Sequence, residues 1–198
     1  MFTGIIRNLG ELVEISSNGS NRTFYIESGL AEELKIDESV AHNGVCLTVE
    51  DIDDHIYRIT AIEETLKKSN AGYWEVGDLI NLEQSMQLND RLDGHIVQGH
   101  VDGTGICKTK KEKNGSFEFT FAFDKKFAPL MIEKGSVCVN GVSLTAFNVS
   151  KDRFTVAIIP YTFANTNLKN LQEKDIVNLE FDILGKYVQR MLQVKAAE

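Results

Sequence analysis

Residues 42–49 read His-Asn-Gly-Val-Cys-Leu-Thr-Val, and residues 139–146 read Val-Asn-Gly-Val-Ser-Leu-Thr-Ala. Five of the eight positions are identical at an offset of 97 residues. Asn-Gly supports the positive φ angles of a tight turn, so each copy starts as a turn. Each then continues as a strand with Val45, Leu47 and Val49 on one face, and Cys46 and Thr48 on the other. Ser143 and Thr145 take the places of Cys46 and Thr48 in the second copy. A thiol or hydroxyl therefore stands beside a threonine hydroxyl, twice, on the face away from the aliphatics. A core alone does not require that repetition.

The repeat extends outward from this stretch. At the same offset Ile62, Thr65, Asn70, Asp78, Asn81, Leu82 and Glu83 match Ile159, Thr162, Asn167, Asp175, Asn178, Leu179 and Glu180. Near the start the offset falls to 95, where Thr3-Gly4-Ile5-Ile6 faces Gln98-Gly99-His100-Val101. Such a period exceeds the ~20–50 residues of a solenoid unit and fits duplication of a whole domain. Within the first half, residues 2–7, 11–16, 22–27, 45–50, 56–61 and 79–83 read as strands, rich in Ile, Val, Thr, Phe and Tyr. Their counterparts are 96–101, 105–109, 116–123, 136–139 with 142–149, 153–159 and 176–181. Short helical pieces fit 30–35, 64–70, 125–132 and 162–168. Six short strands per half predict an all-β fold of two tandem six-stranded antiparallel β-barrels, since closure removes exposed edges. The expected division is 1–94, 95–183 and a C-terminal α-helix over 184–198, with a linker near 85–94. On that helix Leu184, Val188, Met191 and Leu192 share one face, which packs on its own barrel or on another copy.

Composition limits the partners. Net charge is −8 over 198 residues, which opposes nucleic-acid binding and gives no reason to expect an anionic lipid surface. No stretch approaches the roughly 18 apolar residues of a membrane span. Met1-Phe2-Thr3-Gly4-Ile5-Ile6 lacks the basic lead and long apolar run of a signal peptide. Three cysteines without a Cys-x-x-Cys pair suit a reducing cytoplasm.

Of the four histidines, His95 and His100 are five apart and fall on opposite faces of a regular strand, which argues against a metal pair. His100 breaks the internal symmetry, since Ile5 stands at its place in the first half. Imidazole is the side-chain type suited to moving protons near neutral pH, which makes this residue a candidate for proton transfer. Ser143 does not sit in a Gly-x-Ser-x-Gly elbow, and its flanks read as strand, so a serine hydrolase is disfavoured. Gly103-Thr104-Gly105 lacks a third glycine and a following helix, so it is no dinucleotide fingerprint.

Taken together, Met1-Phe2-Thr3-Gly4-Ile5-Ile6, Ala41 to Thr48, Glu64-Thr65-Leu66, Gly94-His95 to Gly99-His100 and Gly141-Val142-Ser143-Leu144-Thr145 resemble the riboflavin synthase α-chain family, over essentially the whole chain. The resemblance implies a homotrimer joined through C-terminal helices. It implies dismutation of two molecules of 6,7-dimethyl-8-ribityllumazine, two per active site, by four-carbon transfer, giving riboflavin and 5-amino-6-ribitylaminouracil without cofactor or metal. Each active site would lie between the first barrel of one subunit and the second barrel of a neighbour. Carried over by position, the first-barrel pocket takes Gly4, Ile5, Ile6, Cys46, Leu47, Thr48, Thr60, Ala61, Ile62, Glu63, Glu64 and Thr65. The second takes Gly99, His100, Val101, Lys134, Ser143, Leu144, Thr145, Ala157, Ile158, Ile159, Pro160, Tyr161 and Thr162. His100 and Ser143 are assigned to proton movement and nucleophile activation, and Cys46 to the partner pocket. Asn140, where many relatives carry Asp, receives no acid–base role; like Asn43 it is read as a turn residue. Two alternatives remain in view: a lumazine antenna protein, which binds without turnover, and the flavin-binding barrel of flavoprotein reductases, whose Arg-x-Tyr-Ser strand and nucleotide domain are missing here.

Overall fold

The computed structural model describes residues 1–196 and contains two closed barrels of six strands each. The first is built from β1 (Asn8–Asn18), β2 (Asn21–Glu27), β3 (Ser39–His42), β4 (Val45–Asp53), β5 (Ile56–Ala61) and β6 (Leu79–Gln84). The second uses β7 (Gly103–Lys113), β8 (Ser116–Ala122), β9 (Ser136–Val139), β10 (Val142–Phe147), β11 (Arg153–Ile158) and β12 (Ile176–Phe181). All neighbouring pairs are antiparallel, and the order around the first barrel, β1-β2-β5-β4-β3-β6, recurs as β7-β8-β11-β10-β9-β12. Two short helices, α1 (Glu63–Lys68) and α2 (Pro160–Ala164), follow β5 and β11, and α3 (Ile183–Lys195) follows β12.

Alternation along each strand fills the barrels. Val45, Leu47 and Val49 are buried while Cys46 and Thr48 are not, and Val142, Leu144 and Ala146 repeat the pattern around Ser143 and Thr145. Leu12, Phe24, Ile26, Ile59, Ile80 and Leu82 complete the first core. The second core is richer in aromatics, with Phe119, Phe121, Phe154 and Phe181 fully buried. The long opening strand carries a bulge between Leu12 and Glu14 in one barrel and between Cys107 and Thr109 in the other. A bulge bends its strand and increases twist, which lets one strand serve two neighbours in a small closed sheet. β1 and β2 correspond to β7 and β8 at offset 95, and β3 to β9 at offset 97. The two-residue difference between the repeats therefore falls between β2 and β3.

The strand readings at 2–7 and 96–101 are corrected by the structure. These residues are extended straps outside the sheets, joined only by a bridge in which Phe2 and Val97 exchange both backbone hydrogen bonds, at 2.7 and 3.0 Å. Their alternation looked like strand because Phe2 and Val97 are buried between the barrels. The strand overlooked in the first half is β3, four residues long; its counterpart β9 is a strand distinct from β10. The total of six survived because one segment was added and another omitted.

Candidate active site

The straps hold the functional stretches in place. Glu83 of β6 is buried and accepts hydrogen bonds from Thr3 N (2.7 Å), Thr3 Oγ1 (2.6 Å) and Gly4 N (3.0 Å). Glu180 of β12 accepts from Gln98 N (2.7 Å), Gly99 N (2.9 Å) and His100 N (3.0 Å). Burial pushes both carboxyls above the usual range, against the pull of these donors. Each strap then reaches across to the other barrel. Ser143 N donates to Gly4 O and Cys46 N to Gly99 O, both at 2.8 Å. Gly4 and Gly99 share φ = +77°, and a Cβ on either would lie 2.6 Å from the Cβ of Ser143 or Cys46. Only glycine allows that approach at that backbone angle.

This crossing corrects the division of the pocket residues. Gly4, Ile5 and Ile6 lie with Ser143 rather than Cys46, and Ile6 packs against the second core. Gly99, His100 and Val101 lie with Cys46, and Val101 packs against the first core. A cavity of about 340 Å³ on the first barrel is lined by Val45, Cys46, Glu64, Thr65, Lys68, Ser69, Gly99, His100 and Val101. At the matching places the second barrel offers Val142, Ser143, Tyr161, Thr162, Asn165, Thr166, Gly4, Ile5 and Ile6. His100, Glu64 and Lys68 of the first pocket thus become Ile5, Tyr161 and Asn165, and the Cys46 thiol becomes the Ser143 hydroxyl.

Ser143 has a partner that the sequence did not reveal. Its Oγ lies 2.7 Å from Nδ1 of His95. His95 is buried, its Nε2 has no protein partner, and burial lowers its pKa, opposed by the charge of Asp182. His100, expected from the resemblance to stand with Ser143, lies instead in the Cys46 cavity. Gly94 packs against the Thr3 carbonyl and Ser143, which brings His95 to the hydroxyl.

The remaining candidates divide by burial. Leu47, Ala61, Leu144 and Ile158 point into the cores. Thr60 Oγ1 meets Thr23 Oγ1 at 2.9 Å and donates to Glu50, while Glu63 pairs with Lys67 along α1. Thr48, Ile62, Thr145, Ala157, Ile159, Pro160 and Tyr161 are exposed on the flanks. Lys134 stands at φ = +62°, exposed, with its ammonium over the Phe147 ring.

Asn43 and Asn140 adopt φ of +48° and +45°, as turn residues. They also belong to a symmetric amide network between the barrels. Asn43 Oδ1 accepts from Asn81 N and Asn140 Oδ1 from Asn178 N, both at 2.8 Å. Asn81 Nδ2 donates to Asn140 O and Asn178 Nδ2 to Asn43 O, at 2.8 and 2.9 Å. Asn167 N and Asn70 N close the pattern on Asn81 Oδ1 and Asn178 Oδ1. A cleft of about 520 Å³ runs along this network. Its asparagines are engaged in holding the barrels together, which leaves the smaller Cys46 cavity and the matching surface around Ser143 as the candidate site.

A model of the lumazine binding domain matches residues 3–85 and again 98–182. The riboflavin synthase of Actinobacillus pleuropneumoniae is 36% identical over all of this chain and 93% of its own length. That of Bacillus subtilis is 35% identical over 97% of this chain and 90% of its own. The solved structure of LumP complexed with riboflavin superposes with a TM-score of 0.86 at 22% identity, over 91% of this chain and 99% of that one, a likeness of fold. With a lumazine binding domain in each half and relatives of this identity along its full length, the chain belongs to the riboflavin synthase family.

Proposed function

We propose that this chain catalyses the dismutation of two molecules of 6,7-dimethyl-8-ribityllumazine to riboflavin and 5-amino-6-ribitylaminouracil. The observation that carries the proposal is the repetition of one site with altered chemistry. Two identical substrates need two similar pockets, and their unequal fates need the pockets to differ. Cys46 with His100 and Ser143 with His95 meet both requirements.

The 7-methyl group of one lumazine is acidic because its carbanion delocalises into the ring. A base removes the proton, and the carbanion attacks a second lumazine activated by a nucleophile at C7. In the second pocket His95 is neutral at pH 7, and its Nδ1 accepts the Ser143 proton as the hydroxyl activates that addition. In the first pocket His100 moves protons beside Cys46, and Glu64 and Thr65 meet the ribityl hydroxyls. Holding two bound substrates in reacting geometry supplies much of the acceleration.

The active unit we propose is a homotrimer in the cytoplasm, each site formed by the first barrel of one subunit with its strap Gly99–Val101 and the second barrel of another with its strap Gly4–Ile6. Support comes from α3, on which Leu184, Val188, Met191 and Leu192 are 57–71% exposed instead of lying on their own barrel. The three cysteines are free, and no helix among the described residues is long and apolar enough to cross a membrane.

The likeness to LumP keeps one alternative in play, a binding protein without turnover. Incubation of the purified protein with 6,7-dimethyl-8-ribityllumazine separates the two. Appearance of the riboflavin spectrum supports the enzyme; lumazine bound tightly with an unchanged spectrum over hours supports the binding protein.

A further inference from the structure

The second strap carries an anchor that the first lacks. Asp102, two residues after His100, places Oδ2 2.6 Å from Lys186 Nζ on α3, and both side chains are about four-fifths buried. The same oxygen accepts from Phe181 N at 2.8 Å, and Asp102 N donates to Leu179 O at 3.0 Å. In the first repeat Arg7 stands at the place of Asp102; its N likewise donates to Leu82 O at 3.0 Å, but no helix follows β6. The charge is reversed where the partner helix is missing. The root of α3 is capped by Asp182 on Leu184 N and brings Gly185 near Leu130, while its apolar row points outward.

We infer that Lys186 is a positioning residue, tying α3 to the second strap so that the attitude of the helix sets where His100 stands beside Cys46. The strap is a short lever. Glu180 grips its amides from Gln98 to His100, Gly99 O receives the Cys46 amide, and Asp102 fixes its far end to the helix. Release of that end lets Gly99 and His100 move off the Cys46 strand. Contact made by α3 with a second copy would then be felt in the first pocket, a deepening of the proposed function that rests on that reading only for its kinetic arm.

The test is Lys186→Met and, from the strap side, Asp102→Asn, with Lys186→Arg as rescue. Cys46 is the local reporter, since Cys107 and Cys138 are 0% and 1% exposed and Cys46 is half-buried. Iodoacetamide alkylation of Cys46 in the native protein is expected to quicken about fivefold in the Met and Asn variants, the ratio that ~1 kcal/mol gives at 25 °C. Riboflavin turnover should fall by a similar factor with a smaller change in KM, and Lys186→Arg should restore both. A merely structural pair would lower the melting temperature without moving native-state alkylation. Alkylation within about twofold of the parent in both variants overturns the inference. A parent that makes no riboflavin defeats the functional reading instead and leaves alkylation to decide the tether.

Discussion

Cys46 and Ser143 occupy one place in two repeats and differ in the imidazole beside them. Because Ser143 and His95 share a hydrogen bond, they act as a unit, and removing either should cost about as much as removing both. We expect Ser143→Ala and His95→Asn each to lower kcat by roughly 10²–10³-fold, within the range for acid–base catalysis, with little further loss in the double variant. Multiplicative losses would show independent roles. Burial lowers His95 from 6.5, so the Ser143-dependent step should persist below that pH; a fall in kcat centred at 6.5 would mean a solvated imidazole. A second residue-scale prediction concerns His42, fully buried with Nε2 2.8 Å from Tyr57 OH and pushed by desolvation down to about 3. A depressed pKa makes its stabilising contribution complete above 6.5 and progressively lost as pH falls towards 3. Between pH 7 and pH 4 that loss is about 3 kcal/mol at ~1.4 kcal/mol per pH unit. His42→Val with Tyr57→Phe copies Val139 and Phe154 of the other barrel, and should shrink the pH 7 to pH 4 difference in urea stability by that amount. An unchanged difference would show that His42 does not drive acid unfolding. The His42-to-Val139 change was visible in the opening stretch. The role of His95 was not, because the 95-residue offset leaves it without a first-repeat counterpart and 48 residues from Ser143.

At the scale of elements, the straps explain what the sequence showed and what it hid. Alternation and turn residues placed most strands, and the repeated Asn70/Asn167, Asn81/Asn178 and Glu83/Glu180 marked residues that prove to face the pseudo-symmetric interface. What could not be read was the crossing. Apolar alternation records that a segment is half-buried, not which barrel buries it, so Gly4–Ile6 and Gly99–Val101 were assigned to their own barrels. The short β3 escaped because four residues hold too little alternation to be distinctive. Gly99→Ala tests the strap directly. Adding a Cβ at φ = +77° costs ~1–2 kcal/mol of backbone strain, before any clash with Cys46 at 2.6 Å. We expect destabilisation of about 2–4 kcal/mol by urea titration, with turnover lost from the fraction that remains folded. Parental stability and activity would mean the strap is free to sit elsewhere.

At the scale of the molecule, the barrels are bound by the amide network together with the crossing straps and the apolar cluster of Phe2, Ala41, Val97 and Cys138. Truncating Asn81 leaves Asn140 O, Asn167 Oδ1 and Asn167 N without their bonds to it, each worth about 1 kcal/mol plus the cost of orphaning a buried group. The proposed assembly is a separate matter and rests on α3, whose exposed apolar row would be buried in a trimer. Met191→Lys should shift the sedimenting species from trimer towards monomer at micromolar concentration and reduce turnover in parallel; a parent that is already monomeric and fully active contradicts the shared site. Two repeats, two straps and the unequal surroundings of Cys46 and Ser143 fit the proposal that one chain treats two identical molecules differently. The direct test is stoichiometry. With purified protein and 6,7-dimethyl-8-ribityllumazine alone, we predict one riboflavin and one 5-amino-6-ribitylaminouracil for every two lumazines consumed. Riboflavin formed one-for-one with lumazine, or no riboflavin despite saturable binding, would contradict it.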